Sequence, residues 1–153
     1  MIYAGAIEAV EARLAARLAR GSVGRAVSIN IEQIRNLRER MLAVLSNAIE
    51  TGDLAALLRT SEEMNDAKNK VNFEESVEIL ESLIHDVWTL RTSGDDSRLV
   101  NTDLAADLGR LAGESGRSDL PAWLDDIETL RQNLAVNINR KVATDALFVS
   151  MAA

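Results

Sequence analysis

The amino-acid sequence predicts an all-α protein, and three observations lead to that prediction. Ala, Leu and Glu are abundant, and these residues lose little conformational freedom in a helix. The chain has one proline and no cysteine, so it offers few helix breaks and no disulfide or thiolate metal site. Apolar residues recur at three- and four-residue spacings, and no stretch shows the two-residue alternation of a strand. We expect about seven or eight helices with short connections between antiparallel neighbours.

The first predicted helix covers about residues 4–20, where Val10, Leu14 and other apolar residues form one stripe. Gly21 is suited to end this helix in the left-handed conformation, and Ser22 is suited to cap a short helix after it.

A capping pattern that begins at Asn30 predicts the start of the next helix, and Gly52 predicts its end. Asp53 is then expected to cap a helix that reaches Met64, before a polar turn at residues 65–70.

A second capping pattern, Asn72 with Glu75, precedes the stretch FEESVEILESLIHDVWTLR, which we expect to form a central, mostly buried helix. After the surface loop TSGDDSR, Asn101 or Thr102 is expected to cap the helix DLAADLGRLA. Ser118 is expected to start another helix with the proline in its first turn, and NINR separates that helix from the closing one, KVATDALFVSMAA.

The charge distribution argues against direct binding to nucleic acid. The formal net charge is −7, and residues 71–153 hold 7 basic against 15 acidic residues, so this half repels a phosphate backbone. Aromatic residues make up only 3% of the chain, which argues against a base-stacking surface. No apolar run is long enough for a membrane span, and the N-terminal sequence does not have the pattern of a secretory signal.

The sequence contains no phosphate-binding loop, no HExxH motif and no EF-hand, and its single histidine leaves little room for a metal site. His85 beside Asp86 is either an acid–base pair or a histidine packed in a helix. The acid pairs Asp95–Asp96 and Asp125–Asp126 are either cation ligands or solvated acids; as neighbours in sequence, they lack ligand spacing on one helix face.

One apolar seam in the second half has the spacing of a helix–helix contact and supplies the candidates for an interface. Trp88 and Trp123 can anchor such an interface or can pack in the core. By their place between two helices Asn137 and Asn139 are turn and cap residues, and only a family resemblance makes them interface candidates. The interface candidates are Trp123, Ile127, Leu130, Leu134, Asn137 and Asn139.

The stretch GSVGRA, residues 21–26, has two possible interpretations. Its glycine and serine can simply separate two helices, with Arg25 facing solvent. Alternatively, a helix N-terminus with exposed N–H groups and a nearby arginine can bind a phosphate.

Four stretches in order resemble the delta-prime subunits of the bacterial DNA polymerase III clamp loader, which are AAA+ proteins. LAARLARGSVGRAVSI resembles the start of the AAA+ lid helix that carries the sensor-2 arginine. ILESLIHDVWTLR, LVNTDLAADLGRLA and LRQNLAVNINRKVATDALFVSMA resemble the long helix, the N-x-D-L helix start and the closing segment of the C-terminal domain.

The resemblance implies a fragment of a longer subunit: residues 1–29 are a lid remnant and residues 30–153 a helical collar domain. It implies a noncatalytic assembly domain that packs against sister subunits in the complex that loads the sliding clamp onto primed DNA. The parent would be a weak or inactive ATPase within the DNA polymerase III holoenzyme, in the cytoplasm. The clamp and the DNA would be reached only through the whole complex, and no cofactor or metal is expected in this fragment.

By the same resemblance Arg25 occupies the sensor-2 position. The alternative function is therefore a nucleotide-responsive lid in which Arg25 senses ATP. A free-standing helical enzyme using His85 and Asp86 is a third hypothesis.

Overall fold

The computed structural model describes residues 9–14, 16 and 31–153, and every regular element among them is helical. Residues 9–14 and 16 are helical, and six further α-helices follow, joined by turns of 3-10 helix at residues 70–72, 96–98, 102–104 and 115–117. The prediction of an all-α fold is confirmed for this part of the chain, and its number of helices falls within the predicted range. The six helices are α1 (Ile31–Glu50), α2 (Leu54–Met64), α3 (Phe73–Ser93), α4 (Ala105–Glu114), α5 (Leu120–Ala135) and α6 (Arg140–Ala152).

Helix α3 lies at the centre and packs against α1, α4 and α5, while α6 packs against α2 and α5. Buried side chains extend around more than half of the circumference of α3, and Leu80, Leu83 and Ile84 among them are fully buried. A helix that is apolar around much of its circumference must be surrounded by other helices, so the predicted central role of α3 is confirmed.

The connection between α1 and α2 agrees with its sequence. Gly52 has φ 63°, the left-handed conformation that glycine adopts without steric cost. The Asp53 carboxylate accepts a hydrogen bond from the Ala56 N–H at 3.2 Å, which caps α2. A Cβ atom on Gly52 would lie 3.2 Å from the Ala152 carbonyl oxygen, so the end of α6 also packs closely against this turn.

Three predicted helix caps are wrong, although α3 begins at Phe73 as predicted. The Asn72 side chain makes no capping hydrogen bond, because the backbone enters α3 directly from a 3-10 turn. Neither Asn101 nor Thr102 caps α4, which begins at Ala105 after a further 3-10 turn. Helix α5 is capped by Asp119 rather than Ser118, through a 3.1 Å hydrogen bond from the Ala122 N–H.

The predicted starts at Ser22 and Asn30, the stretch GSVGRA and its residue Arg25 lie outside the described residues. Among the residues that the structure does describe, no helix is long and apolar enough to cross a membrane.

Candidate interaction surface and buried polar network

The α5–α6 connection explains the two asparagines that the sequence singled out. Asn137 has φ 63°, and the N–H groups of Asn137 and Ile138 donate to the Leu134 and Asn133 carbonyls at 3.2 and 3.0 Å. This is a Schellman motif, which ends α5 by satisfying its last carbonyls. The Asn139 side chain accepts a 3.0 Å hydrogen bond from the Val142 N–H and caps α6. Asn137 is therefore a turn residue, and Asn139 is a cap residue.

Three of the predicted interface residues are taken up by the core of this chain. Trp123, Ile127 and Leu130 are 4%, 0% and 2% exposed, so they have almost no surface to offer to a partner. Leu134, near the end of α5, is only partly buried. Trp88 is also partly buried, and the Arg91 guanidinium lies 5.7 Å from the centre of its ring.

Exposed apolar side chains lie on both sides of the Schellman turn. Val136, Ile138 and Val142 are 69%, 43% and 61% exposed, and we call these three residues the turn patch. Large apolar side chains at neighbouring exposed positions are candidates for a contact with another protein. The exposed apolar residues therefore lie at the end of α5 and the start of α6, whereas most of the seam predicted along α5 is buried.

A groove lies beside the turn patch, between the first turns of α3 and the last turns of α5. It consists of two cavities, of about 360 and 380 Å³, that share the residues Phe73, Glu74 and Leu134 in their walls. We call it the α3–α5 groove. The first cavity is further lined by Val77, Glu78, Arg131 and Ala135, and the second by Lys70, Asn137, Ile138 and Arg140.

Arg131 holds one wall of this groove in place. Its guanidinium donates two hydrogen bonds to the Glu81 carboxylate, at 2.7 and 3.0 Å, and lies 3.8 Å from the carboxylate of Glu128. The hydrogen bonds to Glu81 raise the pKa of Arg131; burial opposes this effect, and the charges of Glu81, Glu128 and Glu78 add to it. Arg131 therefore stays charged and is surrounded mainly by acids.

A polar network is buried on the other side of α3, where Asp86 is only 1% exposed. Its carboxylate accepts hydrogen bonds from the backbone N–H groups of Val100 and Asn101, at 3.0 and 2.8 Å, and from the Asn101 side-chain amide at 2.8 Å. That amide also lies 3.2 Å from the Ser82 hydroxyl. This explains why Asn101 does not cap α4: its side chain is committed to Asp86.

The same structure contradicts the acid–base pair. His85 is exposed, whereas Asp86 faces the interior and is saturated by hydrogen bonds. Neighbours in a helix point about 100° apart, so the two side chains cannot act together.

Arg38 on α1 completes the network. Its guanidinium donates to both carboxylate oxygens of Asp103, at 3.0 and 2.7 Å, and to the Asn101 side-chain oxygen at 3.2 Å. The side chains of Arg38 and Asp103 are 6% and 4% exposed, so this ion pair is almost dry. The network joins α1, α3 and the turn before α4.

The acid pairs do not form metal sites in the described part of the chain, where no group of three or more His, Asp or Glu side chains could hold an ion. Asp95 accepts hydrogen bonds from the Ser97 N–H and hydroxyl, at 3.0 and 2.6 Å, which lower its pKa. The Asp126 carboxylate accepts a 2.7 Å hydrogen bond from Ser150.

The helical residues near the N-terminus belong to the same core. Val10 and Leu14 are 1% and 3% exposed and join the main apolar cluster. Between them, the Glu11 side chain is fully buried and accepts two hydrogen bonds from Arg35, at 3.1 and 3.0 Å. The sequence predicted the apolar stripe but gave no indication of this ion pair, because nothing local marks a contact across 24 residues.

The family is decided by comparison with family models. The model described as "DNA polymerase III, delta subunit, C terminal" matches residues 32–148, which is more than half of the chain. The chain belongs to this family. It is therefore a C-terminal domain of a delta-type subunit of DNA polymerase III, a noncatalytic region of the clamp loader that serves DNA replication. Comparison with curated proteins gives no significant match, and neither does comparison with solved structures.

Two stretches through which the sequence resembles this clamp-loader domain meet in the buried network. ILESLIHDVWTLR contributes Asp86, and LVNTDLAADLGRLA contributes Asn101 and Asp103. In this domain, these motif residues connect α1, α3 and the turn before α4. The sequence did not indicate the residues of the groove wall, Glu74, Glu78 and Arg131. One signal for a shared helix face was present, because the two glutamates are spaced by one turn beside Phe73 and Val77.

Proposed function

We propose that residues 30–153 form a noncatalytic assembly domain of a delta-prime subunit, which packs against sister subunits of the clamp loader. The family match over residues 32–148 and the exposed turn patch support this proposal. The delta-prime assignment, finer than the family, rests on the resemblances of GSVGRA and of the closing segment. Residues 1–29 are the lid remnant in this proposal, and the cytoplasm is its location.

The contact surface in this proposal is the turn patch with Leu134, and the partner is the C-terminal domain of a sister subunit. The exposed valines and isoleucine carry the argument, because a partner gains free energy by removing them from water. The sliding clamp and primed DNA interact with the assembled complex rather than with this domain, whose second half is strongly acidic.

Co-purification tests the proposal. The 153-residue chain is co-expressed with the C-terminal domain of the motor subunit from the same clamp loader and analysed by size-exclusion chromatography. A joint peak is expected for the natural chain and for Val149→Glu, a matched change at a 46% exposed position elsewhere on α6. Ile138→Glu with Val142→Glu should abolish the joint peak. Failure of both the chain and its full-length parent to associate would contradict the proposal.

The role of Arg25 is tested separately, because a nucleotide-sensing lid is the alternative function. In our proposal the chain binds ATP no better than the Arg25→Ala variant does, as measured by titration calorimetry. A clear loss of affinity on that substitution would favour the sensing lid instead.

A further inference from the structure

The second cavity of the α3–α5 groove is polar and carries two cations. Its volume is about 380 Å³, and Lys70 and Arg140 lie in its wall with one carboxylate, that of Glu74. Two cations against one carboxylate make the lining net positive, although the whole chain has a formal net charge of −7. Glu74 also has an interaction partner of its own. A concave site with a net positive lining attracts an anionic group.

Arg140 is held in place by neutral groups. Its Nε donates a 3.0 Å hydrogen bond to the Asn65 side-chain oxygen, and its guanidinium carbon lies 5.0 Å from the centre of the Phe73 ring. Within the described part of the chain, no carboxylate pairs with Arg140 or Lys70, whereas Arg131 in the same groove has two carboxylate partners. Because the guanidinium is already oriented, its two terminal nitrogens can bind both oxygens of one carboxylate with little further loss of side-chain freedom.

The position of the cavity beside the turn patch determines which anion fits. Ile138 lines the cavity and is also a member of the turn patch, and the exposed Asn137 lies in the same wall. A partner that covers the turn patch therefore also covers the cavity. If that partner were apolar at this point, it would remove Arg140 and Lys70 from water without a counter-charge, which costs free energy. A partner with an acidic side chain at this point avoids that cost.

We infer that the second cavity binds an Asp or Glu side chain of the sister subunit that covers the turn patch. This inference rests on the proposed function, since the assembly supplies the partner. Arg140 binds both carboxylate oxygens, Lys70 adds a second positive charge, and the Asn137 amide is within the same wall as a further donor. A nucleic-acid phosphate is also an anion, but its backbone would meet the 15 acidic residues of the segment 71–153.

A double-mutant cycle tests this inference, with binding of the 153-residue chain to the C-terminal domain of the motor subunit measured by titration calorimetry. Arg140→Lys keeps the charge but loses the paired donors, so it should raise the Kd about tenfold. Lys70→Ala should raise the Kd about threefold. Each Asp and Glu of the partner is also replaced by Asn or Gln. One of these replacements should raise the Kd about tenfold for the natural chain and much less for Arg140→Lys, because both changes remove the same contact.

The matched controls are Arg59→Lys and Lys68→Ala, at exposed positions outside the cavity wall. Both should bind like the natural chain, and circular dichroism should show every variant folded. If Arg140→Lys unfolds, Lys70→Ala takes its place in the cycle, with an expected coupling of about threefold.

Three results would overturn the inference. The first is unchanged binding by Arg140→Lys, or an equal loss in the controls. The second is a loss by the same factor for every partner variant, which would show that Arg140 acts only on the fold. The third is binding of a labelled DNA oligonucleotide that is lost in Arg140→Lys, which would make phosphate the ligand.

The same titration separates this inference from the proposed function. If the natural chain binds the motor subunit but no partner carboxylate is coupled to the cavity, the inference is wrong and the assembly function stands. If neither the chain nor its full-length parent binds a sister subunit, the assembly function is wrong and the inference is overturned with it.

Discussion

Replacing Asp86 by alanine should destabilise the domain severely. The substitution removes the acceptor of three hydrogen bonds, two from backbone N–H groups and one from the Asn101 amide, at a position that is 1% exposed. Hydrogen bonds to a charged group contribute about 1.5–3 kcal/mol each, and a buried donor without a partner costs about 1–3 kcal/mol. Because residues 100–104 can rearrange in the variant and recover part of this loss, we expect about 4 kcal/mol less free energy of unfolding.

Urea denaturation followed by far-UV circular dichroism measures this loss. The midpoint should fall with the slope unchanged, which reports stability rather than a change in the unfolded state. The urea midpoint of Asp86→Asn should lie between those of the natural chain and Asp86→Ala. The amide oxygen of the new side chain can still accept from both Asn101 donors, but its NH2 group faces the Val100 N–H, which is also a donor. Asp125→Ala, a matched change at an exposed position, should stay within about 0.5 kcal/mol of the natural chain. A loss for Asp86→Ala no larger than for Asp125→Ala would refute the reasoning.

Three further predictions follow from other parts of the fold. Asn137→Ala should lower the free energy of unfolding by about 1 kcal/mol while Asn137→Gly does not, because the residue has φ 63°; equal effects in thermal unfolding would contradict this. Glu11→Ala should weaken the packing of the N-terminal helix, seen as faster amide exchange at Val10 and Leu14, whereas Glu62→Ala should leave that exchange unchanged. At Asp145, burial raises the pKa, but hydrogen bonds from Lys141 and Ser61 and the charge of Lys141 outweigh it, so the pKa lies below the ordinary 3.8. The stability advantage over Asp145→Asn should therefore be present above about pH 3.8 and disappear as the pH falls through the lower folded-state pKa; an advantage independent of pH would contradict it.

The helices and many of their ends could be predicted because their signals are local. Gly52 ends α1 and Asp53 caps α2 as expected, since a left-handed glycine and a capping carboxylate act within a few residues. The fold class follows from the same local periodicity, and the order of four motifs in the sequence indicates the family.

The candidate site was predicted less well because it depends on contacts between distant residues. Asn101 has the sequence signature of a cap. In the folded chain its side chain instead makes hydrogen bonds with Asp86, Ser82 and Arg38, which are distant in sequence. Trp123 has the spacing of an interface residue, yet α5 is enclosed by α3 and α6, so its side chain is buried. Sequence spacing shows which residues share a face and leaves open whether that face meets a neighbouring helix or solvent.

The buried network also limits how the helices can align. Apolar contacts between helices rich in leucine and isoleucine change little when one helix slides by a turn along another. A slide of one turn would move Arg38 about 5.4 Å away from Asp103. The Arg38 guanidinium would then be buried among apolar groups without a carboxylate partner. We therefore expect Arg38→Met with Asp103→Leu to stay folded but to populate several alignments of α1, visible as extra or broadened amide signals by NMR. A single sharp set of signals would mean that the apolar contacts alone select the native alignment.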